Sequence, residues 1–178
     1  MDKAMMDPEY VTWEFEGIQH RQVSPRYKYA LLEDYANRFG LKTFIETGTC
    51  AGDTLAFMRH LRMEHCYSIE LSEYYWGYAL RRFEAQKDVT LIHGDSAVEL
   101  RKLLASFGDS RPRVLFWLDA HASGGLTAEG PDPLLKELEA IFEAGMTGAV
   151  LIDDRDAPVE CPEEWTQEFK EGIVRLTR

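Results

Sequence analysis

The chain has little with which to hold a nucleic acid, a membrane or a disulfide framework. Of its 178 residues only 20 are Lys or Arg, against 31 Asp or Glu, a formal net charge of −11. That balance argues against a phosphate backbone or an anionic bilayer as partner. A small or cationic substrate is compatible with it. No apolar run approaches the roughly 20 residues of a membrane span. The start, Met1–Pro8, has no apolar core of the kind a secretion signal needs. Cys50, Cys66 and Cys161 are odd in number and scattered. They form neither a disulfide framework nor a zinc spacing, which fits a reducing cytoplasm. Repeats and low-complexity linkers are missing as well. One domain is the natural expectation at this length, with residues 1–24 as an extension, 25–154 as the core and 155–178 as a short terminal segment.

The phosphate-cradling pattern G-x-G-x-x-G is also absent. In its place stands Thr43-Phe-Ile-Glu46-Thr-Gly48-Thr-Cys-Ala-Gly52-Asp53-Thr54. An apolar strand ends on a carboxylate, a tight turn follows with glycines four apart, and a helix begins. A parallel α/β sheet builds nucleotide-sized pockets in this way. A carboxylate two residues before the first glycine suits a ligand with a positive amine better than one with phosphates. S-adenosylmethionine carries such an amine, and a sulfonium.

Along the chain, strands and helices alternate. Residues 1–24 lack clear periodicity. Pro25 opens a helix over Arg26–Phe39, which Gly40 closes. Strands are expected at about 43–47, Cys66–Glu70, Val89–His93, Val114–Asp119 and Ala149–Asp153. Helices are expected over Asp53 to about Met63, Ser72–Gln86, Ser96 to near Gly108, and Pro133–Ala144. This order predicts a three-layer, doubly wound, mostly parallel sheet with right-handed crossovers.

The polar residues fall at one end of it. Glu46, Glu70, Asp95, Asp119 and Asp153 each lie at or just past the C-terminal end of a different strand. Ligands bind along that rim. Capping of the following helices is the plainer reading for some of them, Asp95 above all. Glu70 stands 24 positions after Glu46, and its two acceptor oxygens suit the hydroxyls of an adenosine ribose. Asp95 with Ser96 is placed to reach the adenine edge. Tyr74, Tyr75, Trp76 and Tyr78 are read first as packing residues rather than as an adenine stack.

At Glu46-Thr-Gly48-Thr-Cys-Ala-Gly52, Ser68-Ile-Glu70-Leu71, His93-Gly94-Asp95-Ser96, Trp117-Leu-Asp119-Ala-His121 and Leu151-Ile-Asp153-Asp154, the chain resembles the class I S-adenosylmethionine-dependent methyltransferases. The resemblance covers roughly residues 26–155. The glycine loop is closest to the metal-dependent small-molecule O-methyltransferases. The resemblance implies cofactor contacts by Glu46, Gly48, Thr49, Gly52, Thr54, Glu70, Leu71, Asp95 and Ser96, with Asp119 near the methionine end. It implies a Mg²⁺ site at Asp119, Asp153 and Asp154. Oxygen-only ligands suit that ion, and it could lower the pKa of a substrate hydroxyl. Alternatively, Asp153 and Asp154 cap a turn, or Arg155 neutralises one of them.

His121, two residues past Asp119, is the candidate general base; its plainer role is a hydrogen bond to loop backbone. The catechol and caffeoyl enzymes have an acidic residue at that position and a lysine beside it. Here Ala122 stands in the lysine's place, so their lysine mechanism does not transfer. The loop 122–133, with Gly124, Gly125 and Gly130, reads either as a lid that Thr127 or Glu129 could bring to substrate, or as turns.

The family fold usually closes with two antiparallel strands. After Asp154 only 24 residues remain, read as a helix around Pro162–Lys170 and one strand, Ile173–Thr177. The C-terminal strands are therefore expected to be shortened or partly missing, leaving a sheet edge that a second copy could cover as a homodimer. Two functions stay open: methyl transfer to a small molecule, at a hydroxyl in the first instance, and cofactor binding without catalysis in a regulatory or scaffold protein. A NAD-dependent dehydrogenase is disfavoured by the glycine spacing.

Overall fold

The computed structural model describes residues 10–15, 18–120, 132–155 and 157–178, those before Val23 by backbone alone. The chain opens with an antiparallel hairpin, β1 (Tyr10–Phe15) and β2 (Ile18–Val23), with Phe15 opposite Ile18. No sequence periodicity over residues 1–24 announces it. Helix α1 (Pro25–Phe39) follows. Ser24 caps it, its Oγ accepting from the Tyr27 N–H at 3.3 Å, and Gly40 ends it.

From there strands and helices alternate as expected: β3 (Thr43–Thr47), α2 (Asp53–His60), β4 (His65–Glu70), α3 (Glu73–Phe83), β5 (Val89–His93), α4 (Ser96–Ser106), β6 (Arg113–Leu118), α5 (Leu134–Glu143) and β7 (Thr147–Ile152). Two further strands, β8 (Thr166–Lys170) and β9 (Ile173–Thr177), complete a seven-stranded sheet of order β5-β4-β3-β6-β7-β9-β8. The first five positions are parallel; β9 is antiparallel to both β7 and β8. Strand addition reverses between β3 and β6, so the crevice of a doubly wound sheet opens there.

Alternation along the central strands divides the core into two layers. Phe44, Leu115, Trp117, Ala149 and Leu151 face the side packed by α1, α2 and α3. Ile45, Val114, Phe116, Leu118, Val150 and Ile152 face the side packed by α4 and α5. Each fully buried large side chain contributes about 1.5–3 kcal/mol.

The C-terminal segment differs from the helix expected over Pro162–Lys170. Only a turn forms there, with Trp165 N–H donating to the Pro162 carbonyl at 3.0 Å. Trp165 is buried with its ring 5.5 Å from that of Phe142. The chain then extends as β8. The Gln167 amide binds both backbone groups of Val159, accepting at 2.8 Å and donating at 3.0 Å. Glu171 and Gly172, at φ +50° and +70°, make the two-residue turn that pairs Lys170 with Ile173. Both terminal strands are thus present, at five residues each. β8 stands at the sheet edge. The hairpin is bound to the start of the fold: Tyr27 Oη accepts from Arg175 Nη2 at 2.8 Å and donates to Glu171 Oε2 at 3.2 Å. Among the described residues no helix is long and apolar enough to cross a membrane.

Candidate active site

The glycine loop is built by close approach of backbone. Gly48, at φ +82°, donates its N–H to the Ile69 carbonyl at 2.9 Å, and Asp119 N–H donates to the Thr47 carbonyl at 3.2 Å. The loop therefore lies over the ends of β4 and β6. Gly52 stands at the N-cap of α2 in a left-handed conformation, and its N–H closes the turn on the Thr49 carbonyl at 2.8 Å.

Glu70 ties this loop to the next one. Its Oε2 accepts from Cys50 N–H at 2.8 Å, and its Oε1 from Ser72 N–H at 2.7 Å. The residue is buried, yet each oxygen of an ionised carboxylate keeps a further lone pair. Ser72 occupies the N-cap of α3 without a side-chain bond; the Glu70 carboxylate binds its backbone instead.

Glu46 lies within β3, one residue before its end. It is only 1% exposed, and its Oε1 accepts from Ser68 Oγ at 2.6 Å. Ser68 Oγ lies 2.5 Å from Thr49 Oγ1. With Glu46 ionised, Thr49 donates to Ser68 and Ser68 to Glu46. Burial pushes the Glu46 carboxyl up to about 8, against the hydrogen bond from Ser68. A carboxyl whose pKa is higher folded than unfolded lowers stability as pH rises between the two values, here from about 4.5 to about 8. Glu46→Gln, which keeps the Ser68 acceptor, is therefore expected to melt higher than wild type at pH 8, by roughly 1 kcal/mol or more. The gap closes below pH 4.5, and thermal unfolding across that range checks it.

The remaining candidate cofactor residues are distributed as follows. Thr54, in the first turn of α2, lies beside Tyr29, whose ring stacks on Phe57 at 4.6 Å. Leu71 is exposed, and His93 Nε2 lies 3.2 Å from its carbonyl oxygen. The His93 ring stacks on Trp76 at 4.9 Å. Asp95 caps α4, its Oδ1 accepting from Ala97 N–H at 2.9 Å, and Ser96 is buried behind it. Tyr74 and Tyr78 are exposed.

At the ends of β6 and β7, Asp119, Asp153 and Asp154 come together, with one oxygen from each within 4.8 Å of the others. A cation beside them is Lys28 of α1. Its Nζ pairs with Asp153 Oδ2 and stands 3.7 Å from Asp154 Oδ1. Arg155, considered above as the neutralising group, instead binds Asp132 at 2.9 Å. Burial, then repulsion from Asp153, raises the Asp119 carboxyl to about 8, although Lys28 pulls it down. Burial likewise raises Asp153. Asp153 Oδ1 is buried without a hydrogen-bond partner among the described residues. Lys28 carries a single positive charge against three converging carboxyl groups, an arrangement that a proton or a divalent cation favours. The oxygen-only donors and the unsatisfied Asp153 oxygen fit Mg²⁺.

Glu137 went unnoticed in the sequence because it lies mid-helix in α5. It is 1% exposed, with Ser96 and Thr47 facing it. Burial pushes its carboxyl up to about 7. Glu137, Asp132, Asp153 and Arg155 line a small cleft with Leu118 and Ile152. An acidic residue within an apolar helix stripe, L-L-K-E-L-E-A-I, was the available signal. His121, Thr127, Glu129 and the loop glycines lie outside the described residues.

No protein-family profile matches the sequence, and no curated protein matches it. Solved structures share the fold. A candidate caffeoyl-CoA O-methyltransferase of Staphylococcus aureus aligns at TM-score 0.61 and 15% identity, over 86% of this chain and 83% of that one. The S-adenosylhomocysteine-bound methyltransferase PaMTH1 of Podospora anserina aligns at 0.61 and 14%, over 86% and 79%. A candidate methylase of Haemophilus influenzae, HI0767, aligns at 0.62 and 13%, over 88% and 89%. The chain has the Rossmann-like methyltransferase fold.

Proposed function

We propose that this protein transfers a methyl group from S-adenosylmethionine to a small-molecule acceptor, at a hydroxyl in the first instance, with a divalent cation assisting. The observation that carries the reading is Glu70. Its carboxylate joins the glycine loop, which borders the switch point, to the turn after the neighbouring β4, with lone pairs left over for a diol. The fold shared with methyltransferases, one of them S-adenosylhomocysteine-bound, supports it.

In this reading Glu70 accepts the ribose hydroxyls, with Leu71 beside them. Asp95 and Ser96 face the adenine edge. Gly48, Thr49, Gly52 and Thr54 shape the loop along the methionine portion, and the incoming amine draws the raised Glu46 and Asp119 carboxyls into their ionised forms as its partners. Asp119, Asp153 and Asp154 hold the cation. A bound divalent ion supplies a lowered pKa for an acceptor hydroxyl. His121 takes up the released proton.

Cofactor binding without catalysis is the competing reading. A shortened C-terminal sheet and the absence of a lysine at Ala122 are what favour it. The β8–β9 hairpin removes the first support, and the second remains.

Calorimetric titration with S-adenosylhomocysteine, with and without Mg²⁺, is the test. Micromolar binding is the expected outcome. A Mg²⁺-dependent change in heat or affinity directs the acceptor search to hydroxyls. Absence of binding under both conditions sinks the proposal.

A further inference from the structure

The carboxylates of Asp153 and Asp154 both lie beside an ammonium supplied by the other end of the chain. Lys28 is held there by more than its own flexibility. Its neighbour Tyr27 is fixed by Arg175 and Glu171. The following residue, Tyr29, stacks on Phe57 of α2. The rotation of α1 is therefore set on both sides of Lys28, and its side chain, 13% exposed, is aimed at Asp153.

The match is incomplete on the carboxylate side. Asp153 is 2% exposed, and Lys28 satisfies Oδ2 while Oδ1 has no partner among the described residues. An ammonium is a monovalent point charge whose donors reach one or two oxygens. A divalent ion draws several oxygens at once. Both act on the same carboxylates, and each unit charge beside the site repels the other.

We propose that Lys28 is a resident counter-cation that competes with a divalent ion for Asp153 and Asp154, so that helix α1 sets the cation affinity of the site. The inference rests on the proposed function only in treating these carboxylates as a cation site. Lys28 thus acts as a positioning and charge-balancing residue. It holds the carboxylates together without an ion and must yield, at least from Asp154, when an ion enters.

The test uses Mn²⁺ as probe, read by electron paramagnetic resonance, on wild type, Lys28→Met and the double variant Lys28→Met/Asp153→Asn. Lys28→Met is expected to bind Mn²⁺ roughly tenfold or more tighter than wild type. In EDTA the same variant melts lower than wild type, because a buried carboxylate loses its partner. Millimolar Mg²⁺ then raises its melting temperature more than that of wild type. The double variant is expected to lose both responses.

Equal or weaker Mn²⁺ binding by Lys28→Met overturns the inference, leaving Lys28 as a structural ion pair or an aid to the ligands. A Lys28→Met protein that stays unfolded in Mg²⁺ overturns it equally, since a replacing cation restores the charge balance. S-adenosylhomocysteine titrations on the same samples keep the two proposals apart. Cofactor binding can persist while the cation response fails, and the reverse outcome is just as readable.

Discussion

Glu70→Ala is expected to lose S-adenosylhomocysteine binding by on the order of 100-fold or more. A hydrogen bond to a charged group contributes about 1.5–3 kcal/mol, and the Glu70 carboxylate offers two such bonds to a ribose diol. The substitution also strips the acceptor from Cys50 N–H and Ser72 N–H. Those amides hold the glycine loop and the start of α3 in register, so a second loss of about 1–3 kcal/mol falls on the protein itself. The two effects separate by measurement. Calorimetry reads the ligand term and thermal unfolding without ligand reads the loop term. Glu70→Gln retains one acceptor oxygen, but its NH2 faces the second N–H, so it restores only part of the stability while leaving binding impaired. Affinity within threefold of wild type in Glu70→Ala would place the ribose elsewhere and remove the main support for the proposed function.

Gly48→Ala is expected to destabilise the fold by about 3 kcal/mol or more and to abolish cofactor binding with it. A Cβ there would stand 2.5 Å from the Asp119 carbonyl oxygen and 2.9 Å from its carbon. Those are backbone atoms at the end of β6, hydrogen-bonded back to Thr47, so neither side can yield cheaply. The left-handed φ adds its own strain. Gly40→Ala is the control. It also has positive φ, but nothing lies within 4 Å of the added carbon, so only about 1 kcal/mol is at stake. Urea denaturation of both variants distinguishes a steric collision from a conformational preference. Similar losses in the two would show that the Gly48 contact relaxes.

The alternating core was legible in the sequence because its strands are continuous apolar runs and its helices carry their own start and stop signals. Pro25, Gly40 and Asp95 all act where their chemistry places them. The terminal hairpin was not legible. Residues 166–170 have no apolar alternation to announce a strand, because β8 is an edge strand with mostly exposed side chains. The two-residue turn at Glu171–Gly172 was its only local mark. The β1–β2 hairpin likewise showed no usable period.

The site divides in the same way. Residues at or just past a strand end, such as Glu70 and Asp119, announce themselves by position. Lys28 and Glu137 reach the rim from the helices α1 and α5. Their proximity to Asp153 and Ser96 is a product of packing, which no spacing within the sequence encodes.

The place of β3 in the sheet has a consequence for folding during synthesis. One neighbour, β4, emerges almost at once, but the other, β6, follows only after α3, β5 and α4. A nascent chain can pair β3, β4 and β5 while the second side of β3 still presents its unpaired N–H and C=O groups beside Phe44 and Ile45. Until β6 is synthesised, this edge of the half-sheet stays open to pairing with another strand.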